Sequence, residues 1–119
     1  MIDAKEERFD GPRGLKIFTR SWRPAQPRGV MVIVHGLNAH SGHYQWPGEQ
    51  LAAAGYAVHA LDLHGRGNSE GERFFVAKFS DYVDDVAAFV ARVKAAEPGL
   101  PVFLLGHSAG GVVACLYTL

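Results

Sequence analysis

The stretch Val102-Phe103-Leu104-Leu105-Gly106-His107-Ser108-Ala109-Gly110-Gly111 decides the reading of this chain. Four apolar residues run straight into Gly106-His107-Ser108-Ala109-Gly110, a G-x-S-x-G pattern, and a helical pattern follows from Ala109 to Leu119. A strand that turns sharply into a helix at such a pattern lifts a serine hydroxyl to the top of a sheet. The glycines are needed because the bend brings neighbouring backbones too close for a Cβ. A chain with 14 glycines and five serines shows the pattern by chance about 0.07 times. The strand before it and the helix after it therefore carry most of the argument.

Upstream, the same alternation repeats. Gly29 to Val34 is a short, continuous, β-branched run, which predicts a strand covered on both faces. A helix is expected from Tyr44 or Pro47 to Ala54, stopped by Gly55. Ala57 to Leu63 reads as the next buried strand, turned by Gly65, Gly67 and Asn68. From Ser80 to Ala95, the apolar residues Tyr82, Val83, Val86, Phe89, Val90 and Val93 fall on one helical stripe, with Ser80 as cap candidate. Pro98-Gly99 ends it, and Val102 to Leu105 reads as a third buried strand. Before all of these, Gly14 to Arg23 has a part-alternating strand pattern. The order predicts an α/β fold with a parallel sheet and right-handed crossovers. Chemistry in such sheets sits at the carboxyl ends of strands. Three are marked: His35-Gly36, Asp62 to Ser69, and Gly106 to Gly110.

Composition narrows the classes. The 119 residues suit one domain, and 48% apolar with 20% charged residues is ordinary for a globular chain. Twelve basic and twelve acidic residues cancel, so no net field draws the chain to nucleic acid or an anionic membrane. Cys115, the single cysteine, can form no internal disulfide and reads as a buried small hydrophobe. No apolar run approaches the roughly 18 residues of a spanning helix, and Met1 to Arg8 is too charged for a signal peptide. A soluble cytoplasmic protein is expected. No cofactor and no metal are expected: His40 and His43 stand three apart but have no third ligand at a recognisable spacing. His59 and His64 read as packing or turn residues.

Three segments carry a family resemblance: His35-Gly36-Leu37-Asn38-Ala39-His40-Ser41-Gly42-His43-Tyr44, Asp62-Leu63-His64-Gly65-Arg66-Gly67-Asn68-Ser69, and Gly106-His107-Ser108-Ala109-Gly110-Gly111. The chain resembles the amino-terminal part of an α/β-hydrolase, within the monoacylglycerol lipase and lysophospholipase group, which is similar to the serine aminopeptidase S33 hydrolases. The resemblance implies a mostly parallel sheet with flanking helices, ending after the nucleophile-elbow helix. It implies Ser108 as nucleophile, with the backbone N–H groups of Leu37 and Ala109 as the oxyanion hole. Gly106, His107 and Gly110 shape the elbow, and the His107 side chain is expected to point away from that of Ser108. Gly36, Phe74 and Phe75 are the pocket candidates, whereas Tyr44 and Trp46 are expected to anchor core or loop. Asp62 comes too early for the triad acid, because the family order is Ser, Asp or Glu, then His; it reads as a structural turn.

Residues 109–119 contain no Asp, Glu or His. In the resembling family the acid, the base and a lipid-shaping cap lie further on. The chain is therefore expected to be residues 1–119 of a single α/β-hydrolase domain, inactive by itself. Its full-length parent is expected to cleave a small acyl-ester lipid, monoacylglycerol or lysophospholipid, through an acyl-enzyme on Ser108. Any membrane-surface contact is assigned to the cap, and the oligomeric state stays open. Two alternatives stand beside this. One is a non-catalytic α/β module; the other is an esterase, thioesterase or peptidase of the same fold.

Overall fold

The computed structural model describes residues 2–119. Strands β1 (Lys5–Asp10) and β2 (Lys16–Trp22) are followed by β3 (Gly29–Val34), helix α1 (Gln45–Ala53) and β4 (Tyr56–Leu61). Helix α2 (Phe79–Ala96), strand β5 (Val102–Gly106) and helix α3 (Ala109–Thr118) complete the order. The sheet runs β1-β2-β4-β3-β5. β3 is parallel to both β4 and β5, while β1 and β2 join antiparallel. The sheet is therefore mixed. The connection from β1 to β2 is too short for a crossover and permits only a hairpin.

Each crossover lands on a different face. α1 packs over β4, and its Ala52 meets Trp22, Ile33, Val58 and Ala60. α2 and α3 cover the opposite face, where Val30, Val32, Val34, Leu61 and Leu63 meet Tyr82, Val86, Phe89, Val90 and Val113. The alternation along β3 and β4 feeds both cores, which is why these central strands read as unbroken apolar runs. Fully burying each large side chain contributes about 1.5–3 kcal/mol. β3 lies between β4, which follows it through the α1 crossover, and β5, so the strand order reverses there. That reversal opens a crevice at the carboxyl ends of β3 and β5, where Val34 pairs with Gly106.

Besides the antiparallel strands, the elements differ from the sequence expectations as follows. β1 has no apolar alternation, and the sequence reading gave it no element. It forms by pairing Lys5 with Ser21 through Asp10 with Lys16. α2 begins one residue before Ser80, and its N-cap residue Lys78 makes no side-chain capping bond. β5 is partly buried on one face and exposed on the other: Val102 and Leu104 pack against the core, while Phe103 and Leu105 are exposed, because α1 lies over β4 and β5 is the sheet edge. Cys115 is exposed rather than buried; on α3, the residues that turn inward are Gly110, Val113 and Ala114. Among the described residues, no helix is long and apolar enough to cross a membrane.

Candidate active site

Strand β5 delivers its chain into a conformation that ordinary residues avoid. Ser108 has φ 57° and ψ −124°, a strained backbone that costs about 1–3 kcal/mol and persists only where the surroundings enforce it. The enforcement is visible around it. A Cβ built on Gly106 would lie 2.6 Å from both the Gly110 carbonyl oxygen and the Gly111 Cα. His107 N–H continues the β3 ladder by donating to the Val34 carbonyl at 3.1 Å, so the bend occurs within a single residue. The Ser108 side chain is exposed, and its hydroxyl makes no hydrogen bond among the described residues.

The loop leaving β3 lies against this turn. A Cβ on Gly36 would be 3.3 Å from the His107 carbonyl oxygen, 3.5 Å from the Ser108 Cβ and 4.0 Å from the Ala109 nitrogen. Together, Gly36, Leu37, Asn38, Ala39, His107, Ser108 and Ala109 line an open cleft of about 320 Å³. Neither the Leu37 N–H nor the Ala109 N–H has an acceptor among the described residues. Ala109 is the first residue of α3, so its amide also carries the positive end of the helix dipole.

The His35 side chain fixes the orientation of one of these amides. It is fully buried, and its Nε2 accepts the Leu63 N–H at 3.0 Å. Nδ1 must therefore carry the proton, and it donates to the Gly36 carbonyl at 2.6 Å. That carbonyl shares a trans peptide with the Leu37 N–H, which is thereby turned the opposite way. Burial pushes the His35 ring below its usual 6.5 and outweighs the Gly36 carbonyl and Asp62, which favour the charged form; His40 and Arg66 push it lower. The neutral tautomer that the geometry requires is the one the environment favours. Sequence reasoning used His35 only as a marker for Leu37. An imidazole directly before a glycine at a strand end was the available signal.

The remaining candidates separate from the cleft. Asp62 is buried and accepts the Ser41 N–H at 2.6 Å and the Asn68 N–H at 2.9 Å. It closes a turn and does not line the Ser108 cleft. His107 lines the cleft and is exposed, but makes no hydrogen bond to Ser108. Phe74 and Phe75, expected at the pocket, are not among the residues that line it. Phe74 lies over the Arg66 guanidinium at 5.2 Å, and Phe75 faces a separate hollow beside Arg13, Leu15 and His64. Both are in an irregular loop, where side-chain direction is set by tertiary contacts. Trp46 is 69% exposed and so is no core anchor, whereas Tyr44 packs against the Trp22 cluster. The His40 and His43 rings lie 4.1 Å apart and tilted by 36°, with His40 Nδ1 accepting the Gly42 N–H. Among the described residues, no three His, Cys, Asp or Glu side chains gather as metal ligands.

Two clusters around buried carboxylates are not legible in the sequence. His64 Nδ1 and Arg13 Nη2 each lie 2.6 Å from opposite oxygens of the fully buried Asp85 carboxylate. Arg23 and His59 converge on Glu97. A larger cavity of about 700 Å³, lined by Lys5, Glu7, Ser21, His59 and Arg92, lies beside that second cluster. It contains no strained or nucleophilic residue comparable to Ser108, so the smaller cleft is the better candidate for chemistry.

Comparison with known proteins shows the family. The profile of the family described as serine aminopeptidase S33 matches residues 25–119. The chain belongs to this family of α/β-hydrolases. This S33-family chain is 42% identical over 104 residues to the monoglyceride lipase of Homo sapiens, covering 87% of this chain and 34% of that protein. It is 38% identical over 113 residues to the monoacylglycerol lipase of Mycolicibacterium smegmatis, covering 94% and 40%. A thermostable carboxyl esterase from Bacillus coagulans, solved in complex with glycerol, superposes with a TM-score of 0.86 at 26% identity, covering 98% of this chain and 40% of that one. The chain thus spans between 34% and 40% of the length of these relatives.

Proposed function

We propose that these 119 residues form the amino-terminal portion of an α/β-hydrolase domain that supplies the nucleophile and oxyanion site of a serine ester hydrolase. The observation that carries this reading is the strained Ser108, exposed in the same cleft as the two unpartnered amides of Leu37 and Ala109. Ser108 Oγ attacks the ester carbonyl carbon. The carbonyl electron pair moves to oxygen, which the Leu37 and Ala109 amides hold, and fixed donors of this kind contribute about 2.7–4 kcal/mol each. The Oγ proton passes to a base supplied from outside residues 109–119. Collapse expels the alcohol and leaves an acyl-Ser108, which water then hydrolyses. The identity to enzymes named monoglyceride lipase, and the 39% identity to phospholipase YtpA of Bacillus subtilis, support monoacylglycerol or lysophospholipid as substrate.

Labelling of the intact protein that carries this chain with a fluorophosphonate tests the proposal. Covalent label on Ser108, lost in Ser108→Ala, is expected; a folded protein that takes no label would overturn it. A second reading has an observation of its own. Among the described residues, no carboxylate lines the cleft, and the histidine that does, His107, makes no bond to Ser108, as in a non-catalytic α/β module. The same unlabelled outcome would favour that reading.

A further inference from the structure

Arg66 is 7% exposed, yet no carboxylate lies within ion-pair distance of it among the described residues. Its Nε is buried without any partner. Nη1 donates to the Leu37 carbonyl, and Nη2 donates to the phenol oxygen of fully buried Tyr82 at 3.3 Å. The face of the guanidinium is covered by Phe74, a non-glycine residue held at φ 62°. Burying an arginine without a carboxylate is costly, and an apolar residue of similar volume would serve packing better. The cation must therefore be explained by what it touches.

It touches the residue whose amide is proposed to hold the oxyanion. Leu37 lies between two peptide units. The first, from Gly36 to Leu37, is fixed by the His35 Nδ1–H and the Ala39 N–H, both on the Gly36 carbonyl. The second, from Leu37 to Asn38, is fixed by Arg66. We infer that Arg66 is a positioning residue: it clamps the Leu37 carbonyl so that the Leu37 N–H stays aimed into the Ser108 cleft, and its unneutralised charge favours negative oxygen there. The inference rests on the reading of Ser108 as nucleophile. Tyr82 and Phe74 hold the guanidinium by its second amino group and its face, as a buried cation without a counter-ion requires. The fixed positive charge also works in the same direction as the burial that keeps His35 neutral.

The experiment uses the intact protein that carries this chain and begins with fluorophosphonate labelling of Ser108. If the folded wild type takes no label, the parent reading fails and this one with it. If it is labelled, Arg66→Met, Arg66→Lys and Tyr82→Phe are compared with wild type on a short p-nitrophenyl ester and on an alkyl boronic acid. Arg66→Met is expected to lower kcat about 10- to 100-fold with KM changed less than about twofold, because only the transition state loses support. Its boronate affinity should fall in parallel with kcat/KM. Arg66→Lys, which keeps charge without the planar fork, should recover part of the loss. A folded Arg66→Met with wild-type kcat overturns the inference, as does a rise in KM alone or an Arg66→Lys no better than Met. Should Arg66→Met fail to fold, Tyr82→Phe decides: a kcat loss of about threefold or more at constant KM supports the clamp, and an unchanged kcat overturns it.

Discussion

A Cβ on Gly110 would lie 2.2 Å from the Val34 carbonyl oxygen and 2.3 Å from that of His35. Both atoms are backbone at the end of a central strand, so neither can yield without moving the loop that carries Leu37. Gly110→Ala is therefore expected to destabilise the intact protein by about 3 kcal/mol, the upper end of ordinary overpacking, and to slow Ser108 labelling more than about tenfold. Gly14→Ala is the control: Gly14 has φ 71° but nothing within 4 Å of a built Cβ, so only about 1–2 kcal/mol of left-handed strain applies. Urea midpoints that rank the two variants equally would refute the close-packing argument. Gly106 and Ser108 are legible in sequence because their geometry is local, one strand and one helix joined by one bend; Gly110 is legible by its place in the same pattern, although its close contacts are with the end of β3. Arg66 and Asp85 are not legible, since the hydrogen-bond partners of each side chain lie 16 or more residues away. Cys115 was misread for a related reason: which side of α3 faces the sheet depends on where the sheet lies.

Among the elements, α1 shows a local preference overruled by packing. Gly48 lies inside this helix, where alanine is favoured by about 1 kcal/mol. Yet its Cβ would meet the Trp22 ring at 2.6 Å, and Trp22 is fully buried between α1 and the sheet. The close approach of helix to indole is expected to win, so Gly48→Ala should lower the thermal midpoint by an amount equivalent to about 1–2 kcal/mol. A higher midpoint would mean that the ring has room to move. β3 and β4 are legible to within a residue or two because both faces are buried, which makes their runs continuous. β1 is illegible for the opposite reason. Lys5-Glu6-Glu7-Arg8-Phe9-Asp10 has one inward residue, Phe9, which stacks on Phe89 at 6.1 Å with Arg92 over its ring. Its hydrogen bonds all go to β2, and its charges suit a sheet edge that must not pair further.

Across the molecule, the buried imidazole of His35 and the half-buried one of His59 sit on different structural joints. His35 joins the β3 loop to the turn after β4, and His59 joins β4 to the end of α2 through Glu97. Burial lowers both rings below their usual 6.5; for His59 it outweighs the bond to Glu97 and the charges of Glu97 and Glu7, with Arg23 pushing the same way. A ring whose folded pKa is depressed binds its proton more readily once unfolded. The unfolded chain therefore takes up protons first as pH falls below 6.5, and stability is lost from there down to the folded values. Glu97 falls outside this window: burial raises its pKa, but the bonds from Arg23 and His59 outweigh burial and leave it below its usual 4.5. Its contribution therefore persists until lower pH. The slope is about 1.4 kcal/mol per pH unit for each ring. Urea midpoints of the intact protein should stay level above about pH 7 and drop steadily between about pH 6 and 5. His59→Gln should reduce that slope by about half while leaving Ser108 labelling at pH 7 unchanged, because His59 lines a separate cavity and not the Ser108 cleft. A flat profile through this range would mean that His35 is protonated in the folded protein, and with it that the Gly36 carbonyl is not oriented by a neutral ring.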